Sequence, residues 1–324
     1  MDSINFYPLL LKPTIKNYIW GGFQLKPFLD PSNDSGEQPV AEIWAVYDQN
    51  EIVNGSFKGQ LLSQIVADHP AEILGHSKYL QPNAAFPLLI KLLDCQDWLS
   101  VQVHPDDQGA RLLEGPQFHG KTEAWFFLDA DPQSQIIAGT KPDISQAELS
   151  EAIRKNKILD VVQWYQMHTN DCVNIPAGTI HALGPGLLVY ELQQSSDLTY
   201  RVFDWERPME AGRPLHIEKS IHSARVGQTE PKNLSQFEPP GGITNLIEGK
   251  YFSLKHVVNK VDLLEFDTRH NNMHALTIID GSAEIVFEEQ VFLLRKFQSL
   301  LIPAACGQYQ ISGEFTLLLA ANKN

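Results

Sequence analysis

The chain reads as a succession of short alternating apolar and polar runs, interrupted by stretches of helical spacing. Residues 1–55 set apolar runs between turn signals, from Trp20-Gly21-Gly22 through the polar segment Pro31 to Glu37 and on to Ala41 to Tyr47, which predicts strands and loops. From Lys58 to Leu80 apolar residues fall at Leu61, Leu62, Ile65, Val66 and Ile73, the spacing of one or two helices. Phe86 to Leu93 is almost continuously apolar, as in a strand covered on both faces, and Lys91 stands out within it. In Leu99 to Asp107, Val101 and Val103 point to one side and Gln102 and His104 to the other, and Pro105 ends the strand. Gly120 to Leu128 is a further strand, with Lys121 and Glu123 on one face.

Pro142 to Gln166 reads as helical: Ser145 and Glu148 fit a capping box, and Leu149, Ile153, Ile158, Val161, Val162 and Tyr165 supply an apolar stripe. Asp171 to His181 returns to strand through a turn at Pro176 to Gly178. Leu187 to Gln193 and Leu198 to Asp204 follow as strands, the second with Tyr200 and Arg201 on opposite faces. Pro208 to Pro214 is rich in turn residues, and Ile217 to Ala224 reads as a short helix. Residues 226–242 have the poorest apolar periodicity and predict a connecting stretch. From Tyr251 onward short strands are predicted, with Leu276 to Ile279 and Ala283 to Phe287 separated by a turn at Asp280-Gly281. Ile175-Pro-Ala-Gly-Thr-Ile-His181 and Ile302-Pro-Ala-Ala-Cys-Gly-Gln308 share their first three residues and put Gln308 where His181 stands. Two copies of one β unit, the second lacking the metal-type residue, is one reading; recurrence of Pro-turn punctuation is the other. The whole is expected to be mainly β with a few accessory helices.

Composition narrows the class. The 324 residues, 43% hydrophobic and 20% charged, suit a globular chain of two domains or one large β unit. Lys+Arg of 25 against Asp+Glu of 39 gives −14, which disfavours nucleic acid and anionic membrane as partners and requires a locally basic site for any anionic substrate. Met1 to Lys12 lacks the pattern of a signal peptide, and no apolar run is long enough to span a bilayer. The three cysteines, Cys95, Cys172 and Cys306, form no C-x-x-C pair, so the expectation is a reduced, cytoplasmic protein without disulfides.

Gln102, His104, Glu123 and His181 form the candidate constellation. Two imidazoles, a carboxylate and an amide oxygen suit Zn²⁺, and the absence of thiolate favours an open catalytic site over a closed structural one. Against this stands an ordinary hydrogen-bonded pair, since the chain has 11 histidines and most histidines are surface or satisfied core residues. His104 and His181 differ from the others in lying at strand ends beside Pro turns. Lys91 either packs its stem and carries its ammonium to the surface or contacts an anion. Asp106-Asp107 reads as a cap on the following segment. Glu191 reads either as a partner of the metal ligands or as half of a salt bridge.

Taken in order, Lys91-Leu-Leu-Asp94, Leu99-Ser-Val-Gln-Val-His-Pro-Asp-Asp107, Gly120-Lys-Thr-Glu-Ala-Trp125, Ile175-Pro-Ala-Gly-Thr-Ile-His-Ala182 and Thr199-Tyr-Arg-Val-Phe-Asp-Trp205 closely resemble the type I mannose-6-phosphate isomerases. Similarity runs from about Pro8 through Ile221, and the carboxy-terminal part fits more loosely. The resemblance implies two cupin (jelly-roll) β-barrels: a catalytic cupin domain with helical insertions over 1–225, a connecting stretch over 226–242, and a second, metal-free cupin-like domain over 243–324. It implies one zinc per chain on Gln102, His104, Glu123 and His181, an active-site arginine at Arg201, and a sugar-phosphate pocket lined by Lys91, Ser100 and Lys121. The chain lacks the extra helical domain that longer members carry between Glu123 and His181, and so resembles the short bacterial form.

The implied reaction interconverts mannose 6-phosphate and fructose 6-phosphate through an enediol. It needs a Lewis acid for the developing oxyanion, fixed positive charge near it, and one proton shuttle. For the proton the residues leave open a metal-bound water, His76 or Glu191. Two other readings compete: a non-catalytic cupin that senses a sugar phosphate, and a cupin oxygenase with iron at the same ligands.

Overall fold

The computed structural model describes residues 5–29, 36–75, 85–207, 213–237, 242–269 and 271–323. The chain divides into two compact units, and neither is contiguous in sequence: one comprises residues 15–43 and 91–234, the other residues 1–14, 44–90 and 235–324. Within the stretch 226–242 the chain changes unit after Leu234. Residues 1–14 and 44–90, however, cluster with the carboxy-terminal barrel and not with a domain 1–225. The physical reason is visible in single contacts: Leu9 exchanges both backbone hydrogen bonds with Leu301, and Asn322 donates to the Leu74 carbonyl.

Two sheets carry the unit of residues 15–43 and 91–234. A seven-stranded sheet runs β1 (Thr14–Lys16), β2 (Glu42–Val46), β3 (Leu88–Cys95), β10 (Leu187–Gln194), β5 (Glu123–Ala130), β8 (Asp171–Ile175), β12 (Lys232–Asn233); β2 and β3 pass from one unit to the other along their length. A five-stranded sheet runs β11 (Tyr200–Phe203), β4 (Val101–Val103), β9 (His181–Leu183), β6 (Gln135–Thr140), β7 (Val162–Gln166). The pleat sorts side chains as expected. Val101, Val103 and Ala182 join the apolar cluster under the helices α4 (Gln146–Arg154) and α5 (Ile217–Ser223), while Trp125, Ile175 and Leu183 build a second core. β3 is buried along its whole length, Lys91 included.

The expected helix over 142–166 is shorter. Ser145 and Glu148 form the capping box and α4 ends at Arg154, Asn156 adopts a positive φ of 55°, and Val162–Gln166 is the strand β7, paired with β6. β-Branched and aromatic residues at 161–165 favour a pleated surface, and Val162 reaches the α4 core from a strand where helical spacing placed it by coincidence. The connecting stretch also contributes structure, since β12 pairs with β8. Asp106 caps the helix α3 (Asp107–Glu114), its side chain accepting from the Gly109 amide at 2.7 Å. The helical spacing of 58–80 resolves into α1 (Leu62–Asp68) and α2 (Pro70–Leu74), split at His69-Pro70, and its last residues lie outside those described.

The other unit is built on an eight-stranded sheet, β13 (Ile243–Glu248), β14 (Phe252–Asn259), β20 (Phe315–Asn322), β16 (His274–Phe287), β19 (Gln308–Ser312), β15 (Leu264–Asp267), with β17 (Gln290–Arg295) and β18 (Ser299–Ile302) pairing with β16. The two strands expected around Asp280-Gly281 are one bent strand, β16, with an irregularity in its pairing between Ile278 and Asp280 and a φ of 71° at Gly281. The internal repeat is real in register, for Glu123 pairs with Ile175 and His274 pairs with Ile302. Its last position is corrected. Gln308 is exposed, whereas Tyr309 is buried, stacks on its cross-strand partner Phe266 (centroids 5.6 Å, planes 18°) and meets His274 Nδ1 at 2.8 Å through its hydroxyl. One extra residue in the turn shifts the face, so Tyr309 stands for His181. The inward positions of this barrel are Phe266, Thr268, His274 and Tyr309 where the other has Gln102, His104, Glu123 and His181, which leaves one imidazole and no carboxylate.

Candidate metal centre

β4, β5 and β9 deliver the site. Gln102 on β4 lies directly opposite His181, the first residue of β9, and opposite Arg201 on its other neighbour, β11. His104 follows two residues after Gln102, and Glu123 opens β5. His104, Glu123 and His181 are all buried and place one ligand atom each within 4.8 Å of one another. His104 Nε2 lies 3.4 Å from Glu123 Oε2, His181 Nε2 lies 3.3 Å from Glu123 Oε1, and the two rings are 4.7 Å apart.

Each imidazole is oriented from behind. His104 Nδ1 meets the Leu198 carbonyl at 2.7 Å and His181 Nδ1 meets the Thr179 carbonyl at 2.9 Å. A carbonyl only accepts, so both Nδ1 atoms carry the proton and both Nε2 lone pairs point at Glu123. Burial, and next the nearby Lys121 ammonium, draw His104 down to about 3, and burial likewise lowers His181. For Glu123 burial pulls upward, but the Lys121 ammonium, the largest opposing influence, holds the carboxyl well below its ordinary value. Two neutral imidazoles and an ionised carboxylate result. His104 Nε2 and both Glu123 oxygens are buried without a hydrogen-bond partner, which fits a divalent cation between them. The Gln102 amide reaches the same place, 3.2 Å from His181 Nε2 through Nε2, and a turn about its last side-chain torsion presents Oε1 there instead.

The remaining candidates surround this centre. Lys121 Nζ lies 2.8 Å from Glu123 Oε2. Lys91 does not reach the surface: its ammonium sits 3.1 Å from Glu191 and 3.6 Å from Glu42, and although burial opposes its charge, these carboxylates raise its pKa. Glu191 also accepts from Trp125 Nε1 at 2.9 Å, and the Trp125 ring meets the His181 ring edge-on at 5.5 Å. Glu191 is thus half of an ion pair and, through Trp125, a support for a metal-centre ring. Ser100 is buried with Oγ 3.5 Å from Gln102 Oε1, and Arg201 Nε is buried without a hydrogen-bond partner. His76 lies outside the described residues. The sequence reading missed Glu42 and Arg213, the latter donating to Ser100 Oγ at 3.1 Å. A carboxylate inside the apolar run Ala41 to Tyr47 was the signal for Glu42; Arg213 sits in a turn-rich passage that gave none.

Fold and site together define a double cupin with a His–Glu–His centre in one of its two barrels. Profiles described as "Phosphomannose isomerase type I, catalytic domain" and "Mannose-6-phosphate isomerase, cupin domain" match residues 9–147 and 242–322. The chain is 32% identical to mannose-6-phosphate isomerase ManA of Bacillus subtilis, covering 94% of this chain and 96% of that one. It is 31% identical to the mannose-6-phosphate isomerase of Streptococcus mutans, over 96% and 97%. The crystal structure of the Bacillus subtilis mannose 6-phosphate isomerase superposes with a TM-score of 0.83 at 31% identity, over 97% and 99% of the two chains. A mannose 6-phosphate isomerase solved with zinc bound shares the fold, with a TM-score of 0.77 at 16% identity over 98% and 100%. The chain belongs to the type I mannose-6-phosphate isomerases, which are aldose–ketose isomerases acting on a small sugar phosphate.

Proposed function

We propose that the chain interconverts mannose 6-phosphate and fructose 6-phosphate through an enediol, with one zinc ion per chain held by Gln102, His104, Glu123 and His181. The observation that carries this reading is the set of buried ligand atoms without a hydrogen bond on His104 and Glu123, with the His104 and His181 rings fixed by the carbonyls of Leu198 and Thr179. A zinc-bound relative of the same fold supports the choice of ion. Bound there, the ion supplies Lewis acidity toward the sugar's C1 and C2 oxygens. Arg201, cross-strand from Gln102, adds fixed positive charge where the oxyanion develops. Lys121, Lys91 and Ser100 line the sugar-phosphate pocket, Lys121 holding Glu123 ionised and Lys91 sharing its charge between Glu42 and Glu191. The donor set contains no thiolate and the reaction no net redox change, so a redox-silent ion suffices.

A coupled assay for fructose 6-phosphate formation from mannose 6-phosphate tests this on protein stripped with chelator and then resupplied with zinc. Activity is expected to vanish and return. Turnover indifferent to chelation overturns the ligand assignment, and metal bound without turnover overturns the reaction.

A further inference from the structure

β17 forms a two-residue hairpin with the end of β16, from Phe287 paired with Gln290 to Ser282 paired with Arg295, in continuous register. Among the described residues it pairs with no other strand, so its far side is a sheet edge. The pair that closes a two-residue hairpin is hydrogen-bonded. The backbone groups of Gln290, Phe292 and Leu294 therefore turn toward β16, and those of Val291 and Leu293 turn outward. The side chains of these two sets lie on opposite faces: Phe292 and Leu294 are buried, whereas Val291 is 62% and Leu293 54% exposed. An open edge is a template for another strand, and natural edges are blunted by lysine, proline or a bulge. Gln290 to Leu294 contains none of these.

The flanking charges select the partner. Glu288-Glu289-Gln290-Val291-Phe292-Leu293-Leu294-Arg295-Lys296 runs from acidic to basic about Phe292. We infer that β17 is a self-complementary edge on which a second copy of this chain docks antiparallel, with the two-fold axis at Phe292. In that register Val291 of one copy lies opposite Leu293 of the other, and Glu289 lies opposite Arg295. Val291 and Leu293 are the residues whose backbone groups turn outward, so the symmetric contact gains four backbone hydrogen bonds. These four positions share the exposed face, which gathers the valines and leucines of both copies between two Glu289–Arg295 pairs. The ion pairs of this unit nearby, Lys296 with Asp280 and Arg269 with Asp267, use neither Glu289 nor Arg295. The Arg295 backbone is already taken, its N–H by Gln298 Oε1 and its carbonyl by the Gln298 amide, both at 2.9 Å, so the intermolecular ladder ends at Leu293. Other registers are worse. A slip of two residues sets Arg295 against Val291 or Glu289 against Leu293, and parallel pairing in register sets like charges side by side. One strand per copy makes a small contact, so a reversible dimer with a Kd of roughly 10–100 µM is expected.

Sedimentation velocity on the full chain from about 1 to 300 µM, which brackets that Kd, is the test. The variants are Leu293→Lys, Glu289→Arg and Arg295→Glu. Leu293→Lys puts a charge in the centre of the contact and is expected to leave only monomer over the whole range. Each charge reversal sets two like-charge pairs across the axis and should weaken the dimer by at least about 5-fold at low salt. Mixing the two reversed variants in equal amounts pairs arginines with glutamates at both ends, and affinity should return to within about twofold of wild type. A variant that had merely unfolded would not be rescued by its partner, so the mixture decides the matter even if Leu293→Lys fails to fold. A wild type that stays monomeric throughout overturns the inference and leaves β17 an edge guarded by its flanking charges or open to a strand of another protein. A dimer indifferent to all three substitutions, a mixture no tighter than its components, or association that continues past the dimer overturns it as well.

Discussion

Glu123 concentrates the chemistry of the site in one side chain: two imidazoles and an ammonium face it, and neither of its oxygens receives a hydrogen bond. Glu123→Gln keeps the shape and removes the charge. Metal content by elemental analysis is expected to fall far below one per chain, and kcat/KM by at least about 10³, since a bound Lewis acid supplies several kcal/mol of transition-state stabilisation. Retained metal with retained activity would show that another group carries the ion. Lys91 makes the complementary case, a buried cation between two carboxylates. Lys91→Met takes the buried ammonium away from the carboxylates of Glu42 and Glu191 and should lower unfolding stability by about 3–5 kcal/mol in urea titrations, and adding Glu42→Gln with Glu191→Gln should recover most of that loss. An unchanged midpoint for the single variant would mean that the pair contributes nothing.

At the scale of elements, what was legible in the sequence follows from period and punctuation. The alternation in Val101 to His104 placed Gln102 on the site face, and the capping box at Ser145 fixed the start of α4. Both are local rules that the tertiary fold leaves intact. Illegible were features decided by neighbours in space. Val162–Gln166 is a strand because β6 offers it an edge, and Arg213 donates to Ser100 because the fold brings two residues distant in sequence together. The position of Tyr309 depended on one extra residue in a turn, which sequence alignment of three matched residues could not place. Bends in long strands are of the same kind. Gly281 holds β16 at a positive φ of 71°, and a Cβ there would stand 2.2 Å from the Glu314 carbonyl oxygen. Gly281→Ala is therefore expected to destabilise by at least about 2 kcal/mol in thermal or urea unfolding. An alanine variant as stable as the parent would show that the bend is not required.

At the scale of the whole molecule, the two barrels use the same inward positions for opposite ends. One gathers a candidate cation-binding set; the other fills the space with Phe266 stacked on Tyr309 and a buried histidine hydrogen-bonded to a phenol. That difference has a pH signature in the barrel without the metal set. Burial, and after it the Lys255 charge, lower His274 to about 4 from an ordinary value of 6.5. The unfolded chain then takes up a proton near 6.5 while the folded chain resists until about 4. Between those values the unfolded state binds more protons, and stability falls as pH falls. Between about pH 7.5 and about pH 5 this single group should cost on the order of 2 kcal/mol. His274→Gln keeps an acceptor for the Tyr309 hydroxyl and has nothing to titrate. Comparing urea midpoints of wild type and variant at the two pH values isolates the effect, because the titration of His104 and His181 is common to both proteins. The acid-induced loss should be smaller in the variant by that amount, and equal losses would show that His274 titrates normally and that burial does not hold it neutral.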